Sequence, residues 1–340
     1  MTSRSAKSRS FTRLAVVGAI FIPMVAACSA GTRATTITMV AYDSFPKSGT
    51  SLNEALAGFT RSTGITVEIV TAGDTGTMVQ KAILTSGNPE GDVMWGVDNT
   101  LMSAANDGKI FLTDPIDVDF GDVCVNYDLK WFDDHHVAPP TSLDDLLKPE
   151  YKDLLVVENP ATSSPGLAFL LATVARYGVD GWQQYWTALR HNGVEVSDSW
   201  DTAYVDRFSG SAGSKGDKPL VVSYGSSPPA EVVFANPPIT TAPTGVAADT
   251  CFRQTEYVGI LRGTKHLDAS RKLLDFLVGT TFQKELPLNL FVYPVNKKVA
   301  LPDVFTKFAV VPKNPWFVGS DAIAQNRQRW QEQWTQIVLR

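Results

Sequence analysis

The chain has 340 residues, 30 Lys and Arg against 35 Asp and Glu, a formal net charge of −5 and 44% apolar side chains. That length supports one large or two medium domains with a sizeable core, and the acidic balance argues against nucleic acid and for cationic ligands at long range. No G-x-S-x-G, P-loop, H-E-x-x-H or C-x-x-C pattern is present, and all four histidines (135, 136, 191, 266) fall in polar stretches. Neither a catalytic residue nor a metal ligand is therefore expected.

The N-terminus reads as an export leader. Arg4, Lys7, Arg9 and Arg13 precede an apolar run over 14–25, and Val25-Ala26-Ala27-Cys28 follows as a small-residue cleavage site ending on cysteine. A run of about 12 residues is too short to span a hydrocarbon core that needs about 20. The pattern resembles a bacterial lipoprotein signal, with residues 1–27 removed and Cys28 carrying the lipid. Removal of that leader takes away four basic side chains and no acidic one, moving the net charge from −5 to −9. Residues 28–36 read as a polar tether, and the anchor is the expected membrane contact.

Two cysteines then remain, Cys124 and Cys251, both in strand-like contexts. In an exported protein an even remainder predicts a disulfide. The competing reading is a free, nucleophilic Cys124.

Along the chain, strand and helix patterns alternate. Strands are predicted over 36–41, 65–70, 92–96 and 122–127, with helices over 51–63 (Leu52, Leu56 and Phe59 on one face), 77–84 and 99–105. In the second half strands over 154–158, 194–196, 220–224 and 256–260 alternate with helices over 167–177, 181–190, 202–208, 228–234 and 269–278. Residues 209–218 (SGSAGSKGDK) read as a Gly/Ser loop with no core residue. A long helix from about 321 puts Ile323, Trp330, Trp334 and Ile337 on one stripe.

This α/β order predicts mostly parallel sheet with helices on both faces, in two lobes joined by long crossing strands with a cleft between them. Lobe 1 is expected over 37–122 plus about 252–300, lobe 2 over 123–251, and a C-terminal helical segment over 301–340. Ligands of such sheets bind beyond the carboxyl ends of the strands. Polar and aromatic residues gather at those ends: Tyr42-Asp43-Ser44, Asp74-Thr75-Gly76, Trp95 to Asn99, Ser163-Ser164, Trp200 with Tyr204, and Ser223 to Ser227. Trp182, Trp186, Trp330 and Trp334 lie on helical stripes and read as core. Trp95 fits core or ligand contact, and Asp98 fits either a ligand contact or the cap of the following helix. Ser163, at a helix start, fits a cap or an anion contact.

The leader, YDSF after the first strand, GVDN after the third, NPATSSPGLAFLL, DSWDTAY, VSYGSSP and VYPVN together resemble the thiamine-binding proteins of ABC importers, over about 36–340. These belong to the type II periplasmic-binding superfamily, which also holds ferric-iron and polyamine receptors. The resemblance implies two α/β lobes closing on thiamine or its phosphate esters, a monomeric receptor at the outer face of the cytoplasmic membrane, permease subunits as partners, and no cofactor. Trp200, Tyr224 and Tyr42 match aromatic ligand contacts of the family, and Phe291 stands where members carry tryptophan before Tyr-Pro. Asp43, Asp74 and Asp98 are candidate counter-charges or aminopyrimidine acceptors, with Ser163 and Tyr204 completing the candidate site. Two alternatives stay open: a ferric-ion or polyamine receptor, which for iron would need tyrosine ligands that no Tyr-Tyr pair supplies, and a thiaminase-I-like enzyme using Cys124.

Overall fold

The structure is a computed structural model that describes residues 35–340. The expected leader, Cys28 and residues 28–34 of the expected tether lie outside the described residues. Residue 35, assigned to the tether from sequence, belongs instead to the first strand, and so does residue 36, which the tether and the predicted strand shared.

β1 (Thr35–Ala41), α1 (Ser51–Thr63), β2 (Ile65–Thr71), α2 (Thr75–Leu84), β3 (Val93–Asp98) and α3 (Met102–Asp107) follow the predicted alternation. α1 buries Leu52, Leu56 and Phe59, as its 3.6-residue spacing requires. The Asn53 side chain accepts the Thr50 N–H at 3.1 Å, satisfying an amide at the helix start. Gly64, at φ 73°, ends the helix with its N–H on Thr60 O. β1 runs parallel to β2 and β3.

β4 (Ile116–Asp128) then departs from the parallel pattern. It starts six residues before the predicted strand and runs antiparallel to every strand it pairs with. After it come α4 (Leu129–His135), β5 (Leu155–Glu158), α5 (Ser164–Tyr177), α6 (Trp182–His191), β6 (Glu195–Ser197), a π-helical segment (Asp201–Arg207), β7 (Leu220–Tyr224) and α7 (Pro228–Val233). β8 (Thr244–Ile260) is a 17-residue strand of which the sequence pattern marked the last five positions and a strand-like context around Cys251. α8 (Leu267–Leu277), α9 (Thr280–Gln283), α10 (Leu286–Asn289), β9 (Tyr293–Pro294), α11 (Asp303–Phe308) and α12 (Ser320–Val338) complete the chain.

Among the described residues the strands form one sheet in the order β2-β1-β3-β8-β4-β7-β5-β6, with β9 on β4. The outer strands on each side pair in parallel. The central β4–β8 ladder is antiparallel and links the two sets. Its register jumps where Val123 faces Phe252 but Val125 faces Ala247, so residues 248–251 bulge opposite Cys124. Thr250 Oγ1 accepts the Val125 N–H there, at 2.8 Å, and donates to Ala247 O at 2.7 Å. Cys251 closes the bulge by its disulfide to Cys124. That bond removes the free-thiol reading of Cys124.

Trp95 is fully buried between Phe45 and Phe282, which assigns it to the core. Trp182, Trp186, Trp330 and Trp334 are buried as their stripes predict, α12 packing on α6 and α3. The stripe ends on buried Val338, with Ile337 half-buried beside it.

Candidate functional site

A cavity of about 390 Å³ opens where the carboxyl ends of both parallel strand sets face each other, within the size range of small-molecule sites. Tyr42 and Ser44 reach it from the turn after β1, Asp74 and Thr75 from the start of α2, Ser164 and Pro165 from the start of α5. Trp200, Asp201, Tyr204 and Val205 come from the π-helical segment, Tyr224 and Ser227 from the end of β7, and Ala230, Glu231 and Phe234 from α7 and its end. Glu256 projects from β8, and residues 211–212 and 289–292 complete the wall.

Two glycines make room for the tyrosines. Gly96 has φ +97°, and a Cβ there would lie 2.4 Å from Cδ1 of Tyr42. A Cβ on Gly121 would lie 3.0 Å from Cδ1 of Tyr224. A side chain at Gly96 would have to displace the Tyr42 ring as well as take a strained backbone, whereas at Gly121 it would press on the Tyr224 ring.

The rings are held by a polar scaffold. The Tyr224 hydroxyl donates to Gln254 Oε1 at 2.9 Å, and Gln254 Nε2 donates to Asp98 Oδ2 at 2.5 Å. Trp200 stacks on Tyr204 with centroids 4.8 Å apart and planes 11° apart. The Trp200 indole N–H donates to Ser223 Oγ at 3.0 Å, and its backbone N–H donates to Asp74 Oδ2 at 2.9 Å. Asp74 Oδ1 accepts the Thr75 N–H at 2.7 Å. One carboxylate thus caps α2 and ties it to the π-helical segment from the other strand set. Tyr204 donates to Glu231 Oε1 at 2.6 Å, and Glu231 Oε2 accepts the Ala212 N–H, drawing the Gly/Ser loop over the cavity. Phe234 meets Phe291 edge-on at 5.5 Å, and Phe291 takes φ +53° to point there.

Burial dominates the ionisation of these groups. It pushes the Asp74 carboxyl up, against hydrogen bonds from Trp200 and Thr75 that favour its charged form. Asp201 is raised by burial and then by the negative charge of Asp74 and Asp43. Glu231 is raised by burial, while Tyr42, Tyr204 and Tyr224 are pushed well above the usual phenol range, first by burial and then by nearby carboxylates.

The structure gathers Tyr42, Asp74, Trp200, Tyr204, Tyr224 and Phe291 around one cavity. Three other candidates stand off it. Asp43 is exposed, and its Oδ1 accepts the Gly73 N–H at 3.0 Å, joining the turns after β1 and β2. Asp98 is fully buried, and its Oδ1 turns back on the N–H groups of Thr100 and Leu101. Its contribution is to hold Gln254 and, through it, Tyr224. Ser163 is buried at the start of α5, and its neighbour Ser164 faces the cavity instead. Sequence reasoning missed Asp201, Glu231, Phe234 and Glu256, as well as Ser211 and Ala212 in a loop read as having no core residue. Glu256 carried a usable signal: it is a lone carboxylate ahead of the apolar run Val258-Gly259-Ile260.

The fold and chain match known proteins over nearly their whole length. The "Thiamine-binding periplasmic protein" of Salmonella typhimurium is 28% identical over 334 residues, covering 94% of this chain and 99% of the relative. A solved "Periplasmic thiamin binding protein" superposes with a TM-score of 0.78 at 24% identity, covering 90% of this chain and 96% of that one. Apo "Ferric ion-Binding Protein A" of Pasteurella haemolytica superposes at 0.65 and 15% identity, covering 89% and 98%. The architecture is the type II periplasmic-binding fold. A family model described as bacterial extracellular solute-binding protein matches residues 112–326, and the chain belongs to that family.

Proposed function

We propose that this protein is an extracytoplasmic receptor that captures thiamine, free or as a phosphate ester, and delivers it to the permease subunits of an ABC importer. The observation that carries this reading is the cavity lining: six aromatic residues and four carboxyl groups, Asp74, Asp201, Glu231 and Glu256, with no Lys, Arg or His. A flat, permanently positive heteroaromatic ring complements such a wall, each aromatic face contributing roughly 0.5 to 2 kcal/mol to a desolvated cation. The names of the relatives supply the particular cation. The first turn of α5, with Ser164 on the wall, suits the phosphate of an ester.

Under this reading residues 1–27 are the cleaved leader, and lipid on Cys28 holds a monomeric receptor at the outer face of the cytoplasmic membrane. The function needs no cofactor. A ferric-ion receptor requires hard anionic ligands, tyrosines among them, and the chain has no adjacent tyrosine pair to supply them; among the described residues no group of three His, Cys, Asp or Glu could hold a metal. A thiaminase requires a free Cys124, which here is bonded to Cys251.

Calorimetric titration of the purified protein with thiamine, its mono- and diphosphate, ferric citrate and spermidine tests the proposal. Saturable heat with one or more of the thiamine compounds is expected. No heat with any of them, beside tight binding of ferric ion or the polyamine, would overturn it.

A further inference from the structure

Three carboxyl side chains stand in register across the middle of the sheet. On β3, Asp98 faces Glu256 of β8, and Glu256 in turn faces Asp119 of β4. Residues directly opposite in antiparallel strands point to one face, with Cβ atoms about 5 Å apart, and like charges so placed repel. Relative exposures of 0%, 5% and 0% leave none of the three to solvent.

Their surroundings differ. Asp98 is satisfied by Thr100, Leu101 and Gln254. Both oxygens of Asp119 and Oε2 of Glu256, in contrast, have no donor among the described residues. Among the described residues no cationic side chain acts on Glu256 either. The groups facing Glu256 are Asp98 and the Trp95 indole from β3, Asp119 from β4, Tyr42 from the turn after β1, and Tyr224 from β7. Arg253 of the same strand is engaged by Asp122 at 2.6 Å. Two buried carboxyls without a counter-charge are compatible only when protons are held between them. Burial followed by the charge of Asp119 and Asp98 pushes Glu256 well up, and burial raises Asp119. Glu256 also lines the cavity, so this nearly buried carboxyl is itself part of the ligand's wall.

We propose that Glu256 is the counter-charge for the ligand's cationic ring, that protonated Asp119 holds it from behind by donating a hydrogen bond, and that cation binding is exchanged for the Glu256 proton. The proposal rests on the cationic-ligand reading above and deepens it. Charge balances within the site: the ring brings one positive charge in, Glu256 loses one proton to solvent, and Asp119 keeps its own. Selectivity for a permanent cation follows, because a neutral ring cannot offset the cost of ionising a buried carboxyl. Asp119 is a positioning residue, whereas Glu256 meets the ligand.

The test is calorimetric titration from about pH 5 to about pH 9 in buffers of different ionisation enthalpy. The probes are thiamine and a neutral analogue in which carbon replaces the thiazolium nitrogen. Both carry the same aminopyrimidine, so proton exchange at that ring is common to them. Affinity of the wild type for thiamine relative to the analogue should rise with pH, with about one additional proton released per thiamine at neutral pH. In Glu256→Gln that relative rise should vanish, and thiamine should bind roughly 10- to 100-fold more weakly while the analogue is held as before. Asp119→Asn, which keeps a donor but a weaker one than a carboxylic acid, should still bind thiamine and shift the rise to higher pH by about one unit. An infrared difference spectrum supplies a second readout: a protonated-carboxyl band should disappear when thiamine is added to the wild type, and not in Glu256→Gln. Thiamine binding without additional proton release, or with wild-type affinity in a folded Glu256→Gln, would overturn this inference alone. Failure of the wild type to bind thiamine would overturn it together with the proposed ligand.

Discussion

Trp200→Ala is the most informative single substitution. The indole is half-buried on the cavity wall, stacked on Tyr204 and hydrogen-bonded to Ser223. The link from Asp74 to residue 200 uses the backbone N–H, so alanine preserves it and removes only the ring. Loss of one π-face from a desolvated cation, with the ligand area that face covers, amounts to about 2 to 3 kcal/mol. That is a roughly 30- to 150-fold rise in Kd. Trp200→Phe keeps a face and loses the indole donor, while Ser223 retains Ser227 as a partner at 2.9 Å. A loss of only about 0.5 to 1.5 kcal/mol is expected for it. Quenching of intrinsic fluorescence serves the wild type and Trp200→Phe through the remaining tryptophans, and calorimetry serves all three proteins. A folded Trp200→Ala that binds thiamine within about threefold of wild type would refute the aromatic-wall argument.

Three further outcomes follow from buried chemistry and from the leader. Glu158 is fully buried with neither carboxyl oxygen partnered among the described residues, and burial, then the charge of Asp74, raises its pKa well above the ordinary value of about 4.3. The unfolded chain loses that proton at a lower pH than the native chain does, so Glu158 lowers stability as pH rises above about 4.3; Glu158→Gln should raise Tm at pH 7 more than at pH 5, and an equal change at both would contradict this. The disulfide closes 127 residues and should contribute about 4 to 5 kcal/mol by loop closure; an unchanged denaturant midpoint in the Cys124→Ala, Cys251→Ala double variant would count against it. Cys28→Ser should release the protein from the membrane without altering thiamine affinity, and continued membrane attachment would refute the lipid reading.

The parallel elements were legible because their periods are clean. Leu52, Leu56 and Phe59 mark the buried face of α1, and alternating Ile37 and Met39 mark β1. The central ladder was only partly legible. In Ile116-Asp117-Val118-Asp119-Phe120 the aspartates broke the apolar run, yet Asp119 is buried; in 244–251 the bulge breaks period two altogether. The cysteine pair was legible from count alone. At the site, the rule that ligands meet strand ends found Tyr42, Asp74, Trp200, Tyr204 and Tyr224. It could not tell a carboxyl buried away from the cavity, as Asp98 is, from one that lines it, as Asp74 does. Glu256 lies within β8 rather than beyond a strand end. It reaches the cavity because β8 crosses between the two strand sets, a tertiary fact that no local window contains.

A crystal structure of the protein grown with saturating thiamine tests the central claim most directly. The account predicts one ligand in the cavity, its rings within about 4 Å of the Trp200 and Tyr224 faces and the thiazolium against the Glu256 carboxylate. Ligand bound elsewhere, or a cavity without ligand at saturation, would contradict it.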